Sequence, residues 1–335
     1  MTTSTHTETP GRKGLLVMAY GTPATNADIE AFYTHIRHGR APEPAQLDEL
    51  TARYESLGGT SPLAANTNAQ LAELAAALGD SEAGIWSVAL GQKHAAPFIE
   101  DGVEQLLAEG ATTIVGVVLA PHYSHASIGD YHQRATSAIT SQSGGTPPGY
   151  AGVETPPSYV GIDSWHLLEE LLEFQRSALV EALEPMPERT KVIFTAHSLP
   201  EKLLAGDPYP DQLHESASLI AARAGIATWA GWGLGWQSKG RTPDPWRGPD
   251  VLEIIDDLAD TGRSDGILVV PQGFTSDHLE VLYDLDIEAR RAAESRGLAF
   301  TRTAVPNADP TVMTGLANLA RAHRTGPDSP RFHAP

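Results

Sequence analysis

The chain has 335 residues, 41% hydrophobic and 19% charged, the make-up of a soluble globular protein large enough for two medium domains. A formal net charge of −19 argues against a nucleic-acid or anionic-membrane surface and favours attraction of cations. The absence of cysteine excludes disulfides, thiolate zinc sites, a cysteine nucleophile and a cysteine-ligated iron–sulfur cluster.

From the N-terminus, Met1 to Pro10 is polar and lacks the apolar core of a signal peptide, so a disordered tail over 1–12 is expected. Apolar runs that read as parallel strands follow: Gly14 to Ala19, ending at Tyr20; Ile85 to Leu90; Thr113 to Ala120, leading into Pro121-His122-Tyr123; Lys191 to Ala196, ending at His197; the glycine-interrupted Ala227 to Leu234; and Gly266 to Val270. Between them lie helical patterns over Asp28 to Ile36, Pro44 to Ser56, Thr67 to Leu78, Phe98 to Glu109 and Leu167 to Leu183, with a last one over Pro310 to Arg324. Strands alternating with such helices imply open parallel sheets covered on both faces, with ligands beyond the carboxyl ends of the strands. Ser141 to Ser158, rich in Gly, Pro, Ser and Thr, reads as a long loop, and the halves on either side are alike enough for two doubly wound α/β domains. The expected division is 13–125 and 126–305, with the helix in 306–324 packing back on the first domain and a frayed tail over 325–335. No apolar stretch approaches the ~20 residues that span a bilayer, so a cytoplasmic protein is expected.

Chemistry concentrates where those strands end. After Gly266 to Val270, the segment Gln272 to His278 enters a helix on which Glu280, Asp284 and Glu288 recur every fourth residue and share one face. Such an acidic stripe is either a solvated helix face or a track for a hard cation or for protons. His197, directly after a strand, is placed to act as a base or metal ligand, or else is simply hydrogen-bonded in its loop. Ser198 beside it raises a hydrolase, but no Gly-x-Ser-x-Gly elbow is present. Asp207-Pro208-Tyr209-Pro210-Asp211 reads as a proline-fixed loop before a helix, Thr242 to Asp250 as a rigid aromatic loop against a cleft, and Trp236 as core or as the wall of a flat pocket. Tyr20-Gly21-Thr22-Pro23 projects a phenol above the sheet. Arg37, His38, Arg53, Tyr54 and Ser61 then gather guanidinium, imidazole and hydroxyl groups in a few loops, the equipment for holding a carboxylate.

Five segments together resemble the ferrochelatases: Leu15 to Pro23, Tyr33-Thr34-His35-Ile36-Arg37, Gly58 to Leu63, Thr195 to Pro200 and Ser276 to Asp284. They occur in the family's order, from about Lys13 to Pro306, and look most like the Gram-positive type that inserts ferrous iron into coproporphyrin III. The resemblance implies a class II chelatase-like fold: two similar doubly wound domains, each a parallel four-stranded sheet with flanking helices, and a cleft between them. It implies His197 and Glu280 as the catalytic pair on one face of the macrocycle and Tyr20 on the other. Asp284 and Glu288 would continue an acidic row inward to Glu280, these four carboxylate and imidazole groups being the metal-contacting set. Tyr20, Arg37, Arg53, Tyr54, Ser61, Ser127 and Tyr131 would contact the substrate, the arginines and hydroxyls at its propionates. No cofactor is implied: ferrous iron is a substrate, and a cysteine-bound cluster carried by some relatives is ruled out here. His38 stands where relatives often have a second arginine, and 141–158 and Gly231 to Gly235 look like local insertions. A monomer is expected, with the enzyme that takes coproheme onward as a partner. Readings left open are a protoporphyrin IX ferrochelatase, a cobalt or nickel chelatase for a reduced tetrapyrrole, and a non-catalytic coproheme or haem carrier.

Overall fold

The computed structural model describes residues 12–79, 86–143, 157–227 and 230–323. Strands β1 (Arg12–Ala19), β2 (Trp86–Gln92), β3 (Ala111–Val118) and β4 (Ser158–Ile162) form one sheet in the order β2-β1-β3-β4. Strands β5 (Thr190–His197), β6 (Trp232–Gln237), β7 (Gly266–Val270) and β8 (Ala299–Arg302) form a second in the order β6-β5-β7-β8. Every pairing is parallel, and the two orders are the same arrangement repeated. Parallel strands need crossovers, and helices fill them, so the central strands are buried on both faces and read as unbroken apolar runs. On β1, Leu16 and Met18 pack against helices Ile99–Ala108 and Asp130–Ser143, while Leu15 and Val17 pack on the opposite face.

Among the described residues eight strands form where six are expected, and the two further ones are β4 and β8. The first, β4, lies at the end of the stretch read as a loop, and β8 has four residues, half-exposed on its outer side. Both are short edge strands whose residues are only partly covered, so neither shows a continuous apolar run. The segment expected at Ala227 to Leu234 is shifted to Trp232–Gln237, and of the glycines read as an insertion Gly233 and Gly235 belong to that strand while Gly231 precedes it. Gly235 is required there, because a Cβ would stand 2.8 Å from Ile193 Cγ2. Since β4 completes the first sheet, the first unit extends beyond the expected division at 125/126. Arg12, expected in the N-terminal tail, opens β1; the rest of the expected tails, and most of the 141–158 stretch, lie outside the described residues.

Helix Glu169–Leu183 couples the two sheets: Leu171 joins the core of the first, whereas Leu172 and Leu179 join the core of the second. The last helix, Pro310–Ala322, is capped by Asp309, whose carboxylate accepts from Thr311 N and Val312 N. Its apolar face, Val312, Met313, Leu316, Ala317 and Ala320, completes the core of the first sheet beside Leu74 and Leu78 of helix Leu63–Gly79. The last described helix therefore packs on the unit to which β1 belongs. Leu316→Ala should cost about 2–5 kcal/mol, read as a lower urea midpoint at unchanged slope. A cost below about 1 kcal/mol would show that this helix is not part of the core.

Candidate active site

In each sheet the strand order reverses between its two central strands, and a crevice opens there at the carboxyl ends. The first crevice, between β1 and β3, carries Tyr20 and the turn after β3. The second, between β5 and β7, carries His197 and the loop 271–278. Contacts across the halves face the two crevices towards each other: Asn66 donates to Asp277 O (3.0 Å), Thr275 to Leu119 O (2.7 Å) and Ser276 to Gln70 Oε1 (3.1 Å).

Tyr20 follows directly from β1, and Gly21 after it sits at φ +92, where a Cβ would also meet Ala95 Cβ at 2.8 Å. The phenol rests against His94, ring centroids 4.7 Å apart, and Phe32 at 6.4 Å, yet keeps 46% of its surface exposed to the cleft. Burial of its hydroxyl, with the charge of Glu280 across the cleft, raises its pKa far above the ordinary phenol value. Beneath it, His35 Nδ1 and His94 Nδ1 are 3.0 Å apart. Burial, with Lys93, His35, Arg134 and His38 nearby, pulls His94 down to about 4.

Opposite lies Glu280 between two imidazoles. His197 Nε2 is 3.7 Å from Glu280 Oε1, and His278 Nε2 is 3.7 Å from Oε2. Each ring is tied at Nδ1 to a backbone carbonyl, His197 to Ser198 O at 2.5 Å and His278 to Ser276 O at 2.9 Å. With both Nδ1 atoms donating, both Nε2 atoms are left to face the carboxylate or a ligand. Burial lowers His197, but Glu280 overrides it and the net value rises to about 8. Burial works the other way on Glu280, yet His197 and His278 hold it well below the usual carboxylate range. Close approach of the β7 loop makes this geometry possible: Gly273 lies on the end of β5, where a Cβ would stand 2.6 Å from Ala196 Cβ.

The acidic row departs from the expected regular α-helix. One α-helical turn, Leu279–Val281, gives way to a π-helix, Leu282–Ala289, before α-helix Arg290–Ser295. Such i→i+5 turns recur at functional sites. Asp284 is 6% exposed, so this is no solvated face. Its Oδ2 accepts from Ser238 Oγ at 2.5 Å and its Oδ1 from Arg53 Nη1 at 3.3 Å. Burial and the neighbouring charge of Glu280 outweigh both partners and raise Asp284 to about 7. Glu288 is partly buried beyond it and adds to that rise. Arg302 secures the segment from behind, with Nε and Nη2 on Asp286, both at 2.8 Å, and Nη2 also on Asp277 at 2.9 Å.

The other expected site residues divide. Arg53 spans the cleft to Asp284 and stacks 4.7 Å over Tyr283, so its guanidinium is already engaged. Tyr54 is buried with its hydroxyl 3.5 Å from Thr22 Oγ1, behind the Tyr20 turn. Ser61 is buried and its hydroxyl accepts from Leu63 N at the start of helix Leu63–Gly79. Arg37 ends helix Ile29–Ile36 with its guanidinium 5.6 Å over Tyr33, and His38 follows in the left-handed region at φ 55. Ser127 sits partly exposed in a π-helical turn, His125–Gly129, and Tyr131 is buried under Lys93 Nζ, 5.0 Å above its ring. Ser198 is no nucleophile: 1% exposed, it donates to Arg247 O at 2.7 Å. Trp236 is core, packed with Tyr209 and Ala196.

His278 and Ser238 were not singled out from sequence. His278 does stand between two residues of a quoted motif, and an imidazole two positions before a strand-end carboxylate is a readable signal. Ser238 carries none.

Two titrations follow. Glu280→Gln leaves burial as the main influence on His197, so its NMR titration midpoint should fall from about 8 to below 6.5. A midpoint unmoved would remove Glu280 as the cause. For Asp284, the folded carboxyl keeps its proton up to about 7 while the unfolded one loses it near 3.8. Stability should therefore fall with rising pH across that window, and Asp284→Asn should flatten the fall in urea denaturation.

The ferrochelatase family model matches residues 12–324. A "Coproporphyrin III ferrochelatase" of Geobacillus thermodenitrificans is 44% identical over 312 residues, 91% of this chain and 94% of the relative. A protein of the same name from Bacillus subtilis is 42% identical over 314 residues, 92% and 96% of the two chains. Among solved structures, SirB from Bacillus subtilis with Fe3+ superposes with a TM-score of 0.51 at 15% identity, covering 92% of this chain and 94% of that one, a likeness of fold. The opposed crevices, the His197–Glu280 couple and these matches together place the chain in the ferrochelatase family.

Proposed function

We propose that this chain inserts ferrous iron into coproporphyrin III, giving coproheme. Relatives of that printed name cover nearly the whole chain. The observation that carries the reading is the opposition of an open phenol, Tyr20, to a half-buried imidazole–carboxylate couple across one cleft. A flat macrocycle seated between them meets a hydrogen-bonding or ligating oxygen on one face and a proton-accepting pair on the other.

Metallation requires two pyrrole N–H protons to leave as the ion enters. At neutral pH the His197–Glu280 couple carries one proton, on the imidazole, against an ionised carboxylate. As the cation approaches, the resting proton of His197 passes by way of Glu280 to Asp284 and on towards solvent, which leaves Glu280 and His197 each free to accept one pyrrole proton. Among the described residues no three His, Asp or Glu side chains cluster tightly enough to hold an ion by themselves. That arrangement suits transfer, since an ion held weakly by the couple is released to the ring nitrogens as His197 and Glu280 take up the pyrrole protons. Asp284, near neutrality, accepts and releases protons readily and is placed to pass them from Glu280 towards Glu288 and solvent. Rigid walls bend the ring, strain that is supplied by binding at its rim.

Ferrous iron supplied anaerobically with coproporphyrin III and protoporphyrin IX in parallel tests the reading, followed by absorbance. Coproporphyrin should be metallated faster; metallation of neither would end it. His197→Ala and Glu280→Ala should each lower the rate at least about 100-fold while porphyrin still binds. Near-normal rates in both would remove the couple from the mechanism. Tyr20→Phe should change the absorption spectrum of bound product, and an unaltered spectrum would show that the phenol oxygen is not its ligand.

A further inference from the structure

The turn that closes one side of the cleft carries an imidazole used by none of the roles above. It is His125, first residue of the π-helical turn His125–Gly129 that follows β3. The far end of this turn reaches the phenol side, where Asp130 Oδ2 binds Lys93 Nζ at 2.7 Å and Lys93 N donates to Ala19 O, next to Tyr20, at 2.8 Å. The near end is fastened to the imidazole side through Asp207. That carboxylate, its side chain 1% exposed, accepts at Oδ2 from His125 N (2.8 Å), His125 Nδ1 (3.0 Å) and Ser124 Oγ (3.2 Å). Its Oδ1 accepts from Tyr209 N at 2.9 Å, and the Tyr209 hydroxyl donates to His197 O at 3.3 Å. Tyr123 N and His122 are fixed to the helix that Tyr209 opens, Tyr209–Arg223, on Gln212 Oε1 at 2.7 Å and Ser216 Oγ at 2.9 Å. The turn thus runs from one catalytic face to the other and is rigidly referenced to both. A macrocycle held between those faces would present part of its rim to this turn.

We infer that His125 and Asp207 form a rim contact for a carboxylate of the substrate, His125 donating from Nε2 and Asp207 fixing the ring. Three observations support it. Asp207 occupies Nδ1, so the free nitrogen is Nε2, and the side chain is 68% exposed at the edge of the cleft. As an imidazolium the ring donates at both nitrogens at once, to the buried carboxylate behind and to an anion in front. Two groups expected to hold the four carboxylates are committed elsewhere: Arg53 to Asp284, and Tyr131 to the packing under Lys93. A tetracarboxylate therefore calls for donors beyond Arg37, Ser61 and Ser127, and His125 shares its turn with Ser127. This inference rests on the coproporphyrin reading above and names a residue that sets its preference for four carboxylates over two.

Fluorescence-quenching titration with coproporphyrin III and with the dicarboxylate mesoporphyrin IX tests it on the wild type, His125→Ala, Asp207→Asn and the double variant. His125→Ala should raise Kd and KM for coproporphyrin III about three- to tenfold, the loss appearing in Kd and KM and not in kcat, with a smaller effect on mesoporphyrin. Asp207→Asn should move selectivity the same way, and in the His125→Ala background it should have no further effect on selectivity. Wild-type affinity in His125→Ala, or an equal loss for both porphyrins, would overturn the proposal; the second result would mark the residue as packing only. His125 is exposed, so its variant tests the idea even if Asp207→Asn unfolds. Because binding is read directly, failure of the wild type to metallate coproporphyrin would count against the reaction and leave this selectivity to be decided by Kd.

Discussion

One charged carboxylate, Glu280, sets the electrostatics of the whole cleft. It remains ionised although partly buried, because His197 and His278 face its two oxygens and each ring is locked by its own backbone carbonyl. Other properties of the site follow from that charge. It reverses the effect of burial on His197, helps push the next carboxyl along the row towards neutrality, and is felt by the Tyr20 phenol across the gap. A gradient of proton affinity thus runs along a single helical segment without any added group. The surrounding structure supports this one placement. Gly273 lets the loop lie on β5, Gln237 donates to Glu280 O at 3.0 Å, and Arg302 pins Asp277 and Asp286 on the far side.

The two sheets explain why such different chemistry meets in one place. Each half has the same strand order, so each has one crevice, and the halves are joined with the crevices opposed. The first crevice presents aromatic and imidazole surface, the second imidazole and carboxylate. A repeated fold has been furnished with two different ligand faces, and a planar guest can touch both at once.

Much of this was readable from the sequence, for definite reasons. The central strands announce themselves because burial on two faces demands unbroken apolar residues, as in Leu15 to Ala19 and Ile267 to Val270. Tyr20 and His197 are legible because ligands in such sheets lie at the strands' carboxyl ends, and Glu280 because it opens the acidic row that follows Gly266–Val270. Edge strands escaped, since Ser158–Ile162 and Ala299–Arg302 are short and half-covered. The π-helix also escaped: a spacing of four is compatible with either winding, and nothing in Leu282–Ala289 distinguishes them. Arg53 illustrates a different limit. Composition shows a cation suited to a carboxylate, but only the fold shows that the carboxylate is Asp284, 231 positions away.

The return of the final helix to the first sheet has a mechanical meaning. Because Pro310–Ala322 is built into the core around Leu15 and Val17, and Asn307 just before it binds both Gln70 and Asp277, the polypeptide is laced across the gap between its halves. Two lobes joined at one linker would swing apart under load; lobes stitched at both ends resist. When a stiff aromatic disc is forced between such jaws, the deformation falls on the disc.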